Sequence, residues 1–120
     1  MKDIESYRLY CLSKPATTES SPFGPETIVF KVMNKMYATL SLTGSDTSNL
    51  KGDPERNLEL RDEFISVKPG YHMNKKHWNT INFSGDGLSV EDVKEMVDHS
   101  YDLVVQGLTK KEKEELKEWK

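Results

Sequence analysis

The chain has 120 residues, 35% hydrophobic and 31% charged, enough for one hydrophobic core but not for two. No apolar run approaches the roughly 18 residues of a membrane-spanning helix, and a single cysteine, Cys11, excludes an internal disulfide and a cysteine-based zinc site. Seventeen Lys and Arg against twenty Asp and Glu give a net charge of −3, which is not the footprint of a strongly cationic nucleic-acid binder.

The first ten residues, MKDIESYRLY, lack the basic-then-apolar order of a secretory signal, so a soluble cytoplasmic protein is expected. Ile4, Tyr7, Cys11 and Leu12 form the stripe of a short amphipathic helix that Pro15 should stop. After the turn-rich TTESSPFGPE, the run IVFKVMNKMYATLSL reads as two strands joined at Asn34-Lys35. In its second half Met36, Ala38, Leu40 and Leu42 alternate with Tyr37, Thr39 and Ser41, which predicts one buried and one wetter face. The stretch TGSDTSN, residues 43–49, reads as a mobile loop.

Asp53-Pro54-Glu55 starts a second helix, with an acid at the N-cap and proline at the first turn, and Leu58, Phe64 and Ile65 supply its apolar face. In WNTINF, alternation puts Ile81 and Phe83 on one face and Trp78, Thr80 and Asn82 on the other. Ser89 and Asp92 form a variant capping box, and Leu88 with Val93 a hydrophobic staple. The helix that follows carries Val93, Met96, Val97, Ser100, Tyr101, Val104 and Val105 at three-four spacing, and Gly107 suits a left-handed C-terminal cap. Thr109 and Glu112 repeat the capping box before a charged last helix, residues 109–120. Only Leu116 and Trp119 offer that helix an anchor, so its end is expected to fray. Helix, strands, helix, strands and helices in one domain, residues 1–120, predict an α+β fold: an antiparallel β-sheet with helices packed on one face.

Residues 66–85 contain no acid, while Lys68, Lys75 and Lys76 supply +3, leaving fourteen basic against twenty acidic residues elsewhere, a net of −6. Within this region PGYHMNKKHWN packs two histidines, two lysines, a tyrosine and a tryptophan into eleven residues. If the strand extends back to Lys76, that lysine and Trp78 share a side, a pairing that can hold phosphate and stack a base. The competing reading covers Trp78 with its own loop or the last helix and leaves the lysines solvated. Lys31, Lys35 and the tail lysines add to the patch if they lie on the same side.

Other chemistry has less support. His72 and His77 are five apart, which fits neither a helix pair nor a strand pair, and no acid lies between them, so no metal site is expected. His99 and the flanking Asp98 and Asp102 read as solvent-facing groups. Cys11 lies on an apolar stripe, and a Ser100, His77, Asp102 triad exists only on paper, because geometry alone recognises such a triad. Gly85-Asp86-Gly87 is too short for a phosphate loop and reads as a turn. No cofactor and no catalytic constellation is expected.

FGPETIVFKVMNKMYATL, DPERNLELRDEF, PGYHMNKKHWNTI and DHSYDLVVQGL, in this order and spacing over residues 13–108, resemble the MmcQ/YjbR family of small bacterial proteins. The resemblance implies a CyaY-like α+β fold and a DNA-binding role. Carried over residue by residue, its motif falls on Pro69, Gly70, Tyr71, His72, Asn74, Lys75, His77 and Trp78, with Ser100 and Tyr101. The expected site is then a basic-aromatic surface of Lys68, Tyr71, His72, Asn74, Lys75, Lys76, His77 and Trp78, binding DNA without catalysis. The alternatives are a small anionic ligand or a protein partner on the same surface.

Overall fold

The computed structural model describes residues 3–71 and 73–118. Ten elements follow one another: α1 (Ile4–Leu12), β1 (Thr17–Ser20), β2 (Thr27–Val32), β3 (Lys35–Ser41), β4 (Thr47–Lys51), α2 (Pro54–Glu63), β5 (Val67–Pro69), β6 (Trp78–Asn82), α3 (Val90–Gln106) and α4 (Lys110–Lys117). The strands form one antiparallel sheet in the order β1-β2-β3-β4-β6-β5, so the expected α+β architecture is present.

The helices begin where the sequence caps them. Asp3 accepts from Ser6 N–H at 2.8 Å and Asp53 from Glu55 N–H at 3.1 Å, each using an amide that the helix itself cannot pair. Both capping boxes form, Ser89 with Asp92 and Thr109 with Glu112. At the far end of α3, however, Gly107 is right-handed (φ −84°), and its N–H turns back to the carbonyls of Leu103 and Val104. A left-handed cap is not needed there because Leu108, 5% exposed, is drawn into the interior and Thr109 already starts the next helix.

Three strand assignments from sequence need correction. The polar TTES segment is not turn but the edge strand β1, and the end of TGSDTSN is not loop but the start of β4; both extend because neighbouring strands pair with them. The β2–β3 turn lies one residue earlier than expected, at Met33-Asn34, both left-handed (φ 49° and 66°), so that Val32 pairs with Lys35. Tyr37 has no partner between the Phe30–Ala38 and Lys31–Met36 pairs, a bulge that turns it toward the helices. There its hydroxyl donates to the Cys11 carbonyl at 3.0 Å and its ring meets Tyr101 edge-on at 5.3 Å. The simple alternation therefore fails in β3, where Tyr37 is fully buried and Leu42, just past its end, is exposed.

The core lies on one side of the sheet. Tyr7 of α1 stacks on Phe83 at 4.6 Å and donates to Ser48 of β4 at 2.5 Å, while Val93, Val97 and Val104 of α3 pack nearby. Burying side chains of this size stabilises by roughly 1.5–3 kcal/mol each. Ser100, fully buried, donates to the Tyr37 carbonyl and accepts from Lys51 N–H at 2.9 Å, bridging β3 and β4 across the bulge. In α2 the expected face shifts: Leu58 and Ile65 are exposed, and Asn57, Leu60 and Phe64 turn inward. Leu116 anchors α4 on the core, and Trp119 lies outside the described residues. Among the described residues, no helix is long and apolar enough to cross a membrane.

Candidate nucleic-acid interface

The acid-free segment folds as β5, a loop and β6, and α2 holds the loop in place. Arg61 donates from Nε to Asn79 Oδ1 at 2.6 Å and from Nη2 to the Trp78 carbonyl at 3.3 Å and the Lys75 carbonyl. Asn57, buried beside it, donates through Nδ2 to the carbonyls of Gly52 (3.1 Å) and Lys76 (3.2 Å), and its own oxygens accept from Asn79 Nδ2. These side chains satisfy backbone groups that a tight loop leaves unpaired. Gly70 serves close approach rather than a left-handed bend: its N–H donates to the Trp78 carbonyl at 2.9 Å, and a Cβ there would lie 2.9 Å from that of Trp78.

The expected site residues take different parts. Asn74 Oδ1 accepts from the backbone N–H groups of Lys76 (2.9 Å) and His77 (3.3 Å), shaping the turn. Lys75 Nζ donates to the Gly70 carbonyl at 2.9 Å, so part of its donor capacity closes the loop. Lys68, Tyr71, Lys76 and His77 are exposed, and Trp78 is half-buried against its own loop. His72 lies outside the described residues. The strand starts at Trp78, with residues 75–77 in a turn, so Lys76 is not placed beside Trp78 by strand alternation.

Strand register extends this surface beyond the loop. Lys68 pairs with Thr80, Thr80 with Asn49, and Trp78 with Lys51, all on the face away from the helices; Lys31 of β2 points the same way opposite Met36. Among the described residues, strand positions on this face hold Lys31, Lys51 and Lys68 and no Asp or Glu. A groove of about 720 Å³ runs across it. Thr39, Asn49 and Thr80 belong to its floor, Phe23 and Glu26 border one side, and Tyr71 and Met73 the other. Tyr71 is pinned to that floor: its N–H donates to Thr80 Oγ1 at 2.9 Å, Thr80 donates to Asn49 Oδ1, and Asn49 Nδ2 donates to the Tyr71 carbonyl at 3.5 Å.

Arg61, Asn57, Asn79, Lys51 and the groove were missed in sequence. A signal existed for the groove in the Ser/Thr-rich 43–49 stretch, which reads as loop unless β4 is recognised.

The remaining reactive groups lie elsewhere. Cys11 is fully buried, and burial pushes its thiol up to about 12. His99 is half-buried rather than solvent-facing; its Nε2 accepts from Asp53 N–H at 3.4 Å, and burial and then Arg56 lower its pKa. Asp98 is also engaged, accepting from Tyr10 O–H at 2.5 Å and pairing with Lys14. Among the described residues, no group of three or more His, Cys, Asp or Glu is placed to hold a metal ion.

Fold and site together define a small α+β protein with one antiparallel sheet and, among the described residues, helices on one face only, the other face carrying lysines and hydroxyls. The YjbR family profile matches residues 12–103, and the chain belongs to the YjbR family. It is 37% identical over 114 residues to uncharacterized protein YbdF of Escherichia coli O157:H7, covering 94% of this chain and 93% of that one. To uncharacterized protein YjbR of Escherichia coli K12 it is 31% identical over 97 residues, 80% of this chain and 81% of that one. Among solved structures, Deinococcus radiodurans protein DR2400, with a DUF419 domain, superposes with a TM-score of 0.86 at 42% identity, over 97% of this chain and 88% of that chain. A Pseudomonas syringae protein gives a TM-score of 0.73 at 26% identity, over 84% and 97%.

Proposed function

We propose that the protein is a non-catalytic DNA-binding module of modest affinity that engages its ligand with the helix-free face of the sheet and the adjoining 70–77 loop. The observation that carries this reading is charge placement: Lys31, Lys51 and Lys68 occupy one face whose described strand positions lack acids, in a chain of net charge −3. Lys76, exposed, extends the cationic edge with the exposed His77 beside it, and Trp78 adds an aromatic plane beside Lys51. The absence of catalysis is part of the proposal: the Cys11 thiol is buried and hard to ionise, and the Ser100 hydroxyl is bonded to backbone on both sides. The lone unpaired cysteine supports a reducing, cytoplasmic setting. We also propose that the fold is CyaY-like, as the sequence resemblance implies; one antiparallel sheet with helices on one face supports that reading.

The loop favours a polymer over a small anion, because Lys75 and Asn74 are turned to backbone partners and Lys76 and His77 are exposed. Four lysines, Lys31, Lys51, Lys68 and Lys76, each neutralising one phosphate, give a salt slope of about −3.6 on duplex DNA, well below that of strong binders. The test is anisotropy titration of labelled DNA at low and moderate salt, comparing wild type with the Lys51→Ala/Lys68→Ala/Lys76→Ala variant. Salt-dependent binding that the triple variant weakens supports the reading; absent binding, or binding unchanged by the substitutions, rejects it.

A further inference from the structure

We propose that the groove on the helix-free face is a slot for one unpaired nucleobase and its sugar, so that the strand this module prefers is single-stranded; the inference rests on the nucleic-acid reading above. The groove, at about 720 Å³, falls within the range of small-molecule sites and easily accepts a nucleoside. Its lining suits the uncharged part of a nucleotide: among the described residues it contains no Lys or Arg, and Glu26 is its one acid. The floor is neutral and already held in place: Thr39 accepts from Asn49 N–H at 3.1 Å, and Asn49 and Thr80 bond to each other and to the Tyr71 backbone, so the groups left for a ligand are the second Nδ2 hydrogen of Asn49 and the Thr39 O–H. Along one margin the hydroxyls of Thr43, Ser41, Ser45 and Thr47 form a chain at 2.8–3.2 Å, in which Ser45 donates to Ser41 and so accepts from Thr47, while the Ser41–Thr43 link can run in either direction. Such a chain can donate or accept as a base edge or sugar hydroxyl requires.

Two aromatic side chains border this floor, Phe23 at 73% exposure and Tyr71 at 69%. Exposed rings beside a polar floor are what base stacking uses, and stacking tolerates any base because each has a π face. The backbone phosphates then fall outside the slot. Lys68, the register partner of the floor residue Thr80, lies one strand away, placed to neutralise a phosphate rather than to enter the groove. A duplex keeps its bases paired and stacked inside, so it meets the lysines but cannot fill the slot without flipping a base out.

The experiment titrates wild type, Phe23→Ala and Tyr71→Ala with a labelled twelve-nucleotide oligothymidylate and with a twelve-base-pair duplex at the same low salt; circular dichroism checks that each variant is folded. Both replaced side chains are largely exposed, so folding should survive. The expected result is single-strand binding at least tenfold tighter than duplex binding. Each variant should lose about tenfold on the single strand and nothing on the duplex. Duplex binding as tight as single-strand binding, or equal losses on both, overturns the slot while leaving the DNA-binding reading in place. Binding to neither overturns both.

Discussion

Replacing Arg61 with alanine should loosen the 70–78 loop and cost much of the domain's stability. The guanidinium makes one bond to a buried side-chain oxygen, Asn79 Oδ1 at 2.6 Å, and bonds to the Trp78 carbonyl at 3.3 Å and the Lys75 carbonyl. Hydrogen bonds from a charged donor contribute about 1.5–3 kcal/mol net, and stranding a buried acceptor costs about 1–3 kcal/mol. The three are not additive, and Arg61 is only half-buried, so water recovers part of the loss at the loop carbonyls. The expected destabilisation is about 2–4 kcal/mol, equivalent to a fall in Tm of roughly 10 °C for a domain of this size. Urea titration measures it as a lower midpoint at unchanged slope, and hydrogen exchange should show faster exchange at the Gly70 and Trp78 amides, whose acceptors lie in this loop. Arg61→Lys should recover less than half, because one ammonium cannot reproduce the planar fork that reaches all three acceptors. A loss below about 0.5 kcal/mol, the scale of an ordinary surface change, would refute the idea that Arg61 holds the loop.

Gly52→Ala should cost about 1–3 kcal/mol, since the new Cβ would fall 2.1 Å from Asn57 Oδ1, on a side chain held in place by Lys76 and Asn79 as well as by the Gly52 carbonyl; the cost should shrink in an Asn57→Ala background, and strictly additive effects would sink the explanation. Stability should also fall in acid through His99. Its folded pKa lies below the ordinary 6.5, because burial and then Arg56 disfavour the charged ring against the weaker pull of Asp53, Asp102 and Glu95. The unfolded chain therefore takes up this proton first, and the contribution is complete above 6.5 and lost as pH falls through the folded value. Urea midpoints at pH 7.5 and about pH 5.5 should differ less in His99→Gln than in wild type, and an unchanged difference would remove His99 from the account.

Elements with a local signal were legible. The capped starts at Asp53, Ser89 and Thr109 stand where the sequence puts them, because a cap acts within four residues and needs no distant partner. The inward set Ile81 and Phe83 was equally legible, because β6 is regular and buried on one side. By contrast β1 and β4 are short and polar, and their threonines alone are too weak a signal for an extended chain until a neighbouring strand offers hydrogen bonds. The bulge at Tyr37 was hidden for a related reason. Its inward turn is fixed by Cys11, Thr17 and Tyr101, residues 20 to 64 positions away.

The sequence by itself determined that the chain is an α+β domain, where its capped helices begin, and that its basic-aromatic residues cluster in an acid-free segment, since each of these depends on composition or on spacing within a few residues. Tertiary structure alone decided what those residues do. It pinned their loop through Arg61 and Asn57, which reach it from α2, and it brought Lys31, Lys51 and Lys68 from three separate strands onto one helix-free face. It also opened a groove between Phe23 and Tyr71, 48 residues apart, whose floor exists only because strand pairing sets Thr80 beside Asn49. The physical reason is that side-chain hydrogen bonds and strand register are long-range in sequence, so they come into being only once the sheet has closed around them.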